Sequence, residues 1–168
     1  KEERMKKMKI KGLVDEDFTN YKKPSMFIIF PKCTWKCDKE CGRAVCQNGA
    51  LAKSPTYDIS IEDIVKRYTN NPITKAIVCG GLEPFDTVTD LIDLIKEIRK
   101  VTNDDIVIYT GYTESELYNI VASVLSKYSN LIIKYGRYIP DDKEKYDSIL
   151  GVTLASSNQH AEVINNEN

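Results

Sequence analysis

The sequence predicts a single α/β domain built on an open, mostly parallel sheet, a partial (β/α) barrel. Short apolar runs alternate with amphipathic segments of about a dozen residues, which is the pattern of βαβ units. The alternation repeats too few times to close an eight-stranded barrel. We expect this domain to span residues 25–163, after an N-terminal arm and lead-in at 1–24 and before a flexible tail at 164–168.

The strand predictions rest on short apolar runs rich in β-branched and aromatic residues. The first run is SMFIIF, which ends at Pro31. It lacks the polar alternation of a half-exposed strand, and this is typical of parallel strands that are buried on both faces. The predicted strands cover residues 25–30, 75–79, 105–109, 131–134 and, with the weakest pattern, 151–155.

The helix predictions rest on polar residues that precede apolar stripes. In each case a Ser or Thr is followed three residues later by an acidic residue, as in a capping box. Apolar residues then recur every three or four positions, so one helical face is apolar. The capping pairs are Ser60 with Asp63, Thr87 with Asp90, and Thr113 with Glu116.

Charge and hydropathy exclude several function classes. The chain has 24 Lys and Arg against 25 Asp and Glu, so no charge excess favours nucleic acid or a membrane as the main partner. No apolar run approaches the roughly 18 residues of a membrane span, and no secretory leader is visible. We therefore expect a cytoplasmic protein, and we interpret the basic stretch at residues 1–11 as a solvated arm.

The cysteines point to metal or redox chemistry. Four of the five lie between residues 33 and 46, and an odd count in a reducing compartment argues against a disulfide framework. The spacings of three, three and four residues lack the C-x2-C pairs of structural zinc sites, although a four-thiolate zinc site stays open. If three thiolates bind a cubane cluster, one iron remains open for a small molecule. The four cysteines are Cys33, Cys37, Cys41 and Cys46, and the fifth, Cys79, is predicted to be a core thiol.

Unusual residues follow each predicted strand. Because the carboxyl ends of parallel strands share one edge, these segments are expected to converge on one site. Two glycines after the second strand allow close approach of a ligand, and the next carboxylate, Glu83, can hold an ammonium group. The segments are the cysteine loop, GGLEP (80–84), TGY (110–112), YGRY (135–138) and SSNQH (156–160).

These motifs, in this order, resemble those of radical S-adenosylmethionine enzymes, specifically the activating proteins of anaerobic (class III) ribonucleotide reductases. The cysteine loop and GGLEP resemble the cluster loop and Gly-Gly-Glu motif of that superfamily. IYTGYTESEL (108–117) is similar to the YTGY segment of these activases, and GRYIPDD…LGVTLASSNQH resembles their C-terminal stretch. The resemblance covers roughly residues 25–163 and implies a radical S-adenosylmethionine-like fold.

The resemblance implies a [4Fe–4S] cluster held by three cysteines, with S-adenosylmethionine chelating the fourth iron. One-electron reduction then releases a 5′-deoxyadenosyl radical, which in the activases abstracts hydrogen from a glycine of a partner enzyme. The implied partners are a glycyl-radical enzyme, such as the anaerobic reductase large subunit, and a flavodoxin- or ferredoxin-type electron donor. A small-molecule or peptide substrate, and a non-enzymatic zinc module, are the alternatives.

The resemblance also assigns residues by position. Glu83 faces the methionine amine, and Gly80 and Gly81 line the space for it. Tyr109 to Gly111, at the end of the third strand, pack near the nucleoside. Asn158 belongs either to the cofactor pocket or to a partner contact. The family pattern is C-x3-C-x2-C, and CQN at Cys46 fits its third position better than CGR at Cys41, which is the alternative. The implied ligands are thus Cys33, Cys37 and Cys46, and the implied cofactor residues are Gly80, Gly81, Glu83, Tyr109, Thr110, Gly111 and Asn158.

Overall fold

A computed structural model describes residues 6–33 and 49–164. Helices and strands alternate through most of this part of the chain, as the sequence predicts. The strands are β1 (Lys7–Ile10), β2 (Gly12–Asp17), β3 (Ser25–Phe30), β4 (Tyr57–Ser60), β5 (Ala76–Gly81), β6 (Asp105–Tyr109), β7 (Leu131–Tyr135), β8 (Lys145–Asp147), β9 (Val152–Leu154) and β10 (His160–Ile164). The α-helices are α1 (Gly49–Ala52), α2 (Ile61–Thr69), α3 (Val88–Arg99) and α4 (Glu114–Ser123), with 3-10 turns at Pro84–Thr87 and Leu125–Lys127.

The central sheet has six strands in the order β10-β7-β6-β5-β3-β2. The four inner strands are parallel and follow one another in chain order, whereas the two outer strands pair antiparallel. Among the described residues, no pairing joins β2 to β10, so the sheet is open. The predicted α/β class and the mostly parallel sheet are therefore confirmed.

The chain order of the parallel strands decides where the helices lie. Right-handed crossovers that always move in one direction place their helices on one face of the sheet. Apolar side chains of α2, α3 and α4 accordingly pack with alternate residues of the parallel strands in one core. The fully buried members include Ile28, Phe30, Ile64, Ile77, Cys79, Leu91, Ile95, Ile108 and Ile133.

The other face of the sheet is covered by irregular structure and a small hairpin. Val78, Val107 and Ile132 point to this face and pack with Leu150 and Leu154. Leu154 ends β9, which pairs antiparallel with β8. Because α2, α3 and α4 pack on the opposite face, the sheet leaves room for a ligand beside the hairpin.

Local sequence signals explain two of the three predicted helix starts. The Ser60 side chain accepts from the Asp63 backbone N–H at 3.0 Å, and Thr113 and Glu116 form a reciprocal capping box. The predicted capping pair of Thr87 and Asp90 was wrong. The Thr87 side chain makes no capping hydrogen bond, because a 3-10 turn leads directly into α3.

Two sequence-based interpretations are corrected by the fold. Residues 151–155 were predicted to be a fifth parallel strand, but β9 lies in the separate β8–β9 hairpin. The solvated arm at residues 1–11 instead contributes β1, which pairs with β4 and buries Met8 and Ile10. Its apolar residues alternate with lysines over only four positions, so the strand signal was short and the basic composition dominated it.

Candidate cofactor site

A cavity of about 420 Å³ lies on the hairpin side of the sheet, at the carboxyl ends of the parallel strands. Segments that follow β3, β5, β6 and β7 all reach it, and the β8–β9 hairpin forms part of its wall. The lining residues include Phe27, Cys33, Gly80, Gly81, Leu82, Glu83, Tyr109, Thr110, Gly111, Tyr112, Lys134, Arg137, Ala155 and Gln159. Polar groups thus converge on a partly apolar cleft, which is the usual form of a small-molecule site.

Glu83 is the acidic residue at the centre of this wall. Its side chain is only 7% exposed. The carboxylate accepts hydrogen bonds from the Gly111 N–H at 2.8 Å and the Phe85 N–H at 3.1 Å, one on each oxygen. The Thr110 hydroxyl lies 2.9 Å from both oxygens. These donors fix the carboxylate group in one orientation.

Burial controls the protonation of Glu83. The pKa of this carboxyl is raised to about 7, mainly by desolvation and to a lesser extent by nearby Asp86, against the lowering effect of the donors at Gly111, Phe85 and Thr110. Near neutral pH the group is therefore shared between its acid and its carboxylate form. A cationic ligand stabilises the carboxylate, so the site is suited to bind a cation with release of a proton.

Gly81 is required by the close approach of β3 and β5. Its φ is +84°, and a Cβ there would lie 2.5 Å from Ile29 Cγ2 and 3.2 Å from the Ile29 Cα. A side chain would therefore meet both backbone strain and a steric clash. At Gly80 a Cβ would come within 3.1 Å of the Phe27 ring, at the floor of the cavity.

Two basic residues also line the cavity: Arg137, which belongs to the predicted YGRY segment, and Lys134, which was not among the predicted site residues. Lys134 is 6% exposed, donates to the Gly136 carbonyl oxygen at 3.1 Å and lies 5.7 Å from the Tyr109 ring centroid. Arg137 donates to Glu116 at 2.8 Å and lies 5.8 Å from the Tyr112 ring. The ion pair with Arg137 lowers the pKa of Glu116 to about 2. A lone lysine within the apolar run LIIKY was the signal available in the sequence.

Cys33 connects the cysteine loop to this cavity. It is half-buried, follows β3 by three residues and lines the cavity. The Glu83 backbone N–H donates to the Lys32 carbonyl oxygen at 2.7 Å, so the residue before Cys33 is held against the Gly-Gly-Glu turn. Cys37, Cys41 and Cys46 lie outside the described residues. A thiolate donor at the edge of a cleft fits an iron–sulfur ligand.

The remaining predicted residues divide into two groups. Tyr109, Thr110 and Gly111 line the cavity, as do both glycines of GGLEP. Asn158 is not among the described lining residues; its side chain donates to the Arg137 carbonyl oxygen at 2.8 Å and accepts from the Ser156 hydroxyl at 2.6 Å. Gln159 lines the cavity instead. The structure thus gives Asn158 a role in holding the wall.

The family model described as a 4Fe-4S single cluster domain matches residues 25–161, which is most of the chain. The chain belongs to this 4Fe-4S single cluster domain family. Membership supports the predicted [4Fe–4S] cluster and is compatible with a redox enzyme. Neither a curated protein nor a solved structure matches the chain significantly.

The cluster family and the site geometry agree on one end of the sheet. The matched region begins at β3, whose carboxyl end leads to Cys33, and it ends within β10. The matched region therefore contains the cysteine loop and all described cavity-lining residues from Phe27 to Gln159. In the described ranges, no helix has both the length and the apolar character needed to cross a bilayer.

Proposed function

We propose that this 4Fe-4S family member is a radical S-adenosylmethionine enzyme. Its cluster, when bound, supplies the electron that cleaves the sulfonium of S-adenosylmethionine to a 5′-deoxyadenosyl radical. The observation that carries the proposal is the bond from the Glu83 N–H to the Lys32 carbonyl oxygen at 2.7 Å. This bond holds Glu83, which carries the buried carboxylate, against the residue before the first cysteine of the loop. Because Glu83 and Cys33 line the same cavity, a cofactor with an amino group could contact both.

The chain's own residues have separate tasks in this proposal. Cys33, Cys37 and Cys46 hold the cluster, with Cys41 as the alternative third ligand. Glu83 accepts hydrogen bonds from the N–H groups of the methionine amine of the cofactor, and its fixed orientation lowers the entropic cost of binding. Because its pKa lies at about 7, formation of the carboxylate that accepts these bonds is accompanied by release of a proton from Glu83.

The other lining residues shape the space for the rest of the cofactor. Gly80 and Gly81 keep the β5 edge free of side chains, so that the ligand can contact the backbone. Tyr109, Thr110 and Gly111 are assigned to the nucleoside, and the aromatic ring of Tyr109 offers a flat apolar surface on that side.

For the substrate, we propose a glycine residue of a partner protein, such as an anaerobic ribonucleotide reductase large subunit. The support is the order of the segments in the chain, which resembles that of reductase activases. A flavodoxin- or ferredoxin-type protein is the proposed electron donor. The competing substrate is a small molecule or a peptide, and deuterium in each candidate substrate distinguishes the two, because the abstracted deuterium appears in 5′-deoxyadenosine.

The test of the proposed activity is anaerobic reconstitution followed by reduction with S-adenosylmethionine. We expect about four iron atoms per chain and formation of 5′-deoxyadenosine. A Glu83→Gln variant that retains its iron should form much less of it, whereas the exposed-site control Glu144→Gln should match the wild type. A chain that binds one zinc and no iron contradicts the proposal and favours the zinc module.

A further inference from the structure

Three side chains that can ligate a metal meet outside the cavity. Glu114 is the first residue of α4, and His160 and Glu162 lie on β10. One carboxylate oxygen of each glutamate and a ring nitrogen of His160 all lie within 4.8 Å of one another. The Nε2 atom of His160 is 2.5 Å from Glu114 Oε1 and 3.7 Å from Glu162 Oε1. His160 is the single histidine of the chain.

The fold brings these groups together from distant parts of the chain. His160 and Glu162 are two positions apart in a strand, so their side chains leave the same face of the sheet. His160 is opposite Tyr135 in the β10–β7 pair, and their ring centroids are 5.7 Å apart. The packed tyrosine ring limits the orientations of the imidazole. The first turn of α4 then places Glu114 over the same nitrogen.

His160 lies between a backbone carbonyl oxygen on one side and two carboxylates on the other. Its Nδ1 atom lies 3.5 Å from the Asn158 carbonyl oxygen, which can only accept. On the other side of the ring, the Nε2 atom faces the carboxylates of Glu114 and Glu162. Three groups of electron-pair donors around one point repel one another unless a cation lies among them. An Nδ1–H bonded to a backbone carbonyl is also the usual support of a metal-bound histidine.

We propose that Glu114, His160 and Glu162 bind a zinc ion, at a site separate from the cysteine loop. Imidazole nitrogens and carboxylate oxygens are both zinc ligands, with bonds of about 2.0–2.2 Å, which puts ligand atoms about 3.3–3.6 Å apart in a tetrahedral site. The 3.7 Å separation already suits this spacing. The 2.5 Å separation opens by rotation of Glu114, whose side chain is 49% exposed. A water molecule completes the four ligands.

Zinc at this position links α4 to the outer strand β10. The segment between β9 and β10 forms part of the cavity wall through Gln159, and Asn158 donates to the Arg137 carbonyl oxygen. Fixing His160 therefore also fixes the end of this segment. The zinc ion has a structural role that holds the cavity wall, and it does not take part in the chemistry at the cysteine loop.

The test uses the full chain with its cluster reconstituted anaerobically, then equilibrated with Zn²⁺ and freed of excess metal. We expect one zinc per chain in addition to the cluster iron. His160→Ala and Glu162→Gln should each weaken zinc binding by at least about tenfold, whereas Glu144→Gln, an exposed carboxylate outside the cluster of three, should not. Zinc K-edge absorption spectra should show only nitrogen and oxygen ligands.

Three results would overturn the zinc site. They are failure of the wild type to retain zinc, equal zinc binding by wild type and both variants, and sulfur among the zinc ligands. Glu162 is exposed, so Glu162→Gln should fold, and thermal melts in the presence of chelator check this for both variants. Iron is counted in the same samples, so that a failed cluster is recognised separately from a failed zinc site.

Discussion

Replacement of Glu83 by Gln tests whether the cavity holds a carboxyl that is costly to ionise. Desolvation raises its pKa from an ordinary 4.5 to about 7 in the folded chain. The folded state therefore binds a proton more tightly than the unfolded state, and stability is lost as pH rises from the lower value to the higher. At 1.36 kcal/mol for each pH unit, this rise in pKa corresponds to about 3 kcal/mol.

The assay is urea unfolding of the cluster-free chain at several pH values between 4.5 and 8, with circular dichroism as the probe of unfolding. The free energy of unfolding of the wild type minus that of Glu83→Gln should fall by about 3 kcal/mol across this range. The amide cannot accept from both Phe85 and Gly111 N–H groups, which adds an offset of about 1–3 kcal/mol that is the same at every pH.

Glu144→Gln is the control, because its exposed carboxyl should leave the pH dependence unchanged. A wild-type-minus-Glu83→Gln difference that stays constant within about 1 kcal/mol over the range would refute the reasoning, as would a wild type that gains stability relative to this variant as pH rises. Either result means that Glu83 is solvated, or paired with a cation, when no cofactor is bound.

Three further predictions follow from the same site. Gly81→Ala should lower the free energy of unfolding by at least about 2 kcal/mol, because a positive φ and a clash with β3 combine; Gly12→Ala, which meets only the flexible end of a side chain, should cost clearly less in the same urea experiment. Cys46→Ala should abolish the cluster absorption after reconstitution and Cys41→Ala should retain it; the reverse pattern assigns the third ligand to Cys41. The ratio of the wild-type affinity for S-adenosylmethionine to that of Glu83→Gln, measured by calorimetry, should rise by up to about tenfold per pH unit and level off near pH 7, and a ratio that does not change with pH would contradict this.

The parts of the fold that depend on local sequence were predictable. Residues 25–30 and 105–109 are apolar on both faces, and this pattern alone located β3 and β6. The Thr113 capping box located the start of α4, because both of its hydrogen bonds join residues three apart. The carboxyl-edge argument likewise placed Glu83 and Thr110 near each other, and they are hydrogen-bonded in the structure.

The parts that depend on long-range pairing were not predictable. Residues 151–155 have the composition of a parallel strand, yet β9 is only three residues long and pairs with β8. The strand that begins at His160 pairs antiparallel with β7, and no local pattern states which strand such a short segment pairs with. The meeting of Glu114 with His160 depends on this pairing, so the sequence showed an isolated histidine where the structure shows a cluster of three ligands.

The most direct test of the central claim is the electron paramagnetic resonance spectrum of the reduced, reconstituted protein with and without S-adenosylmethionine. We predict that the cofactor changes the cluster signal, and that ¹⁵N in its amine gives a resolved nuclear coupling, because the amine binds the open iron beside Glu83. A cluster signal that is unchanged by saturating cofactor, with no coupling to the label, would contradict the account.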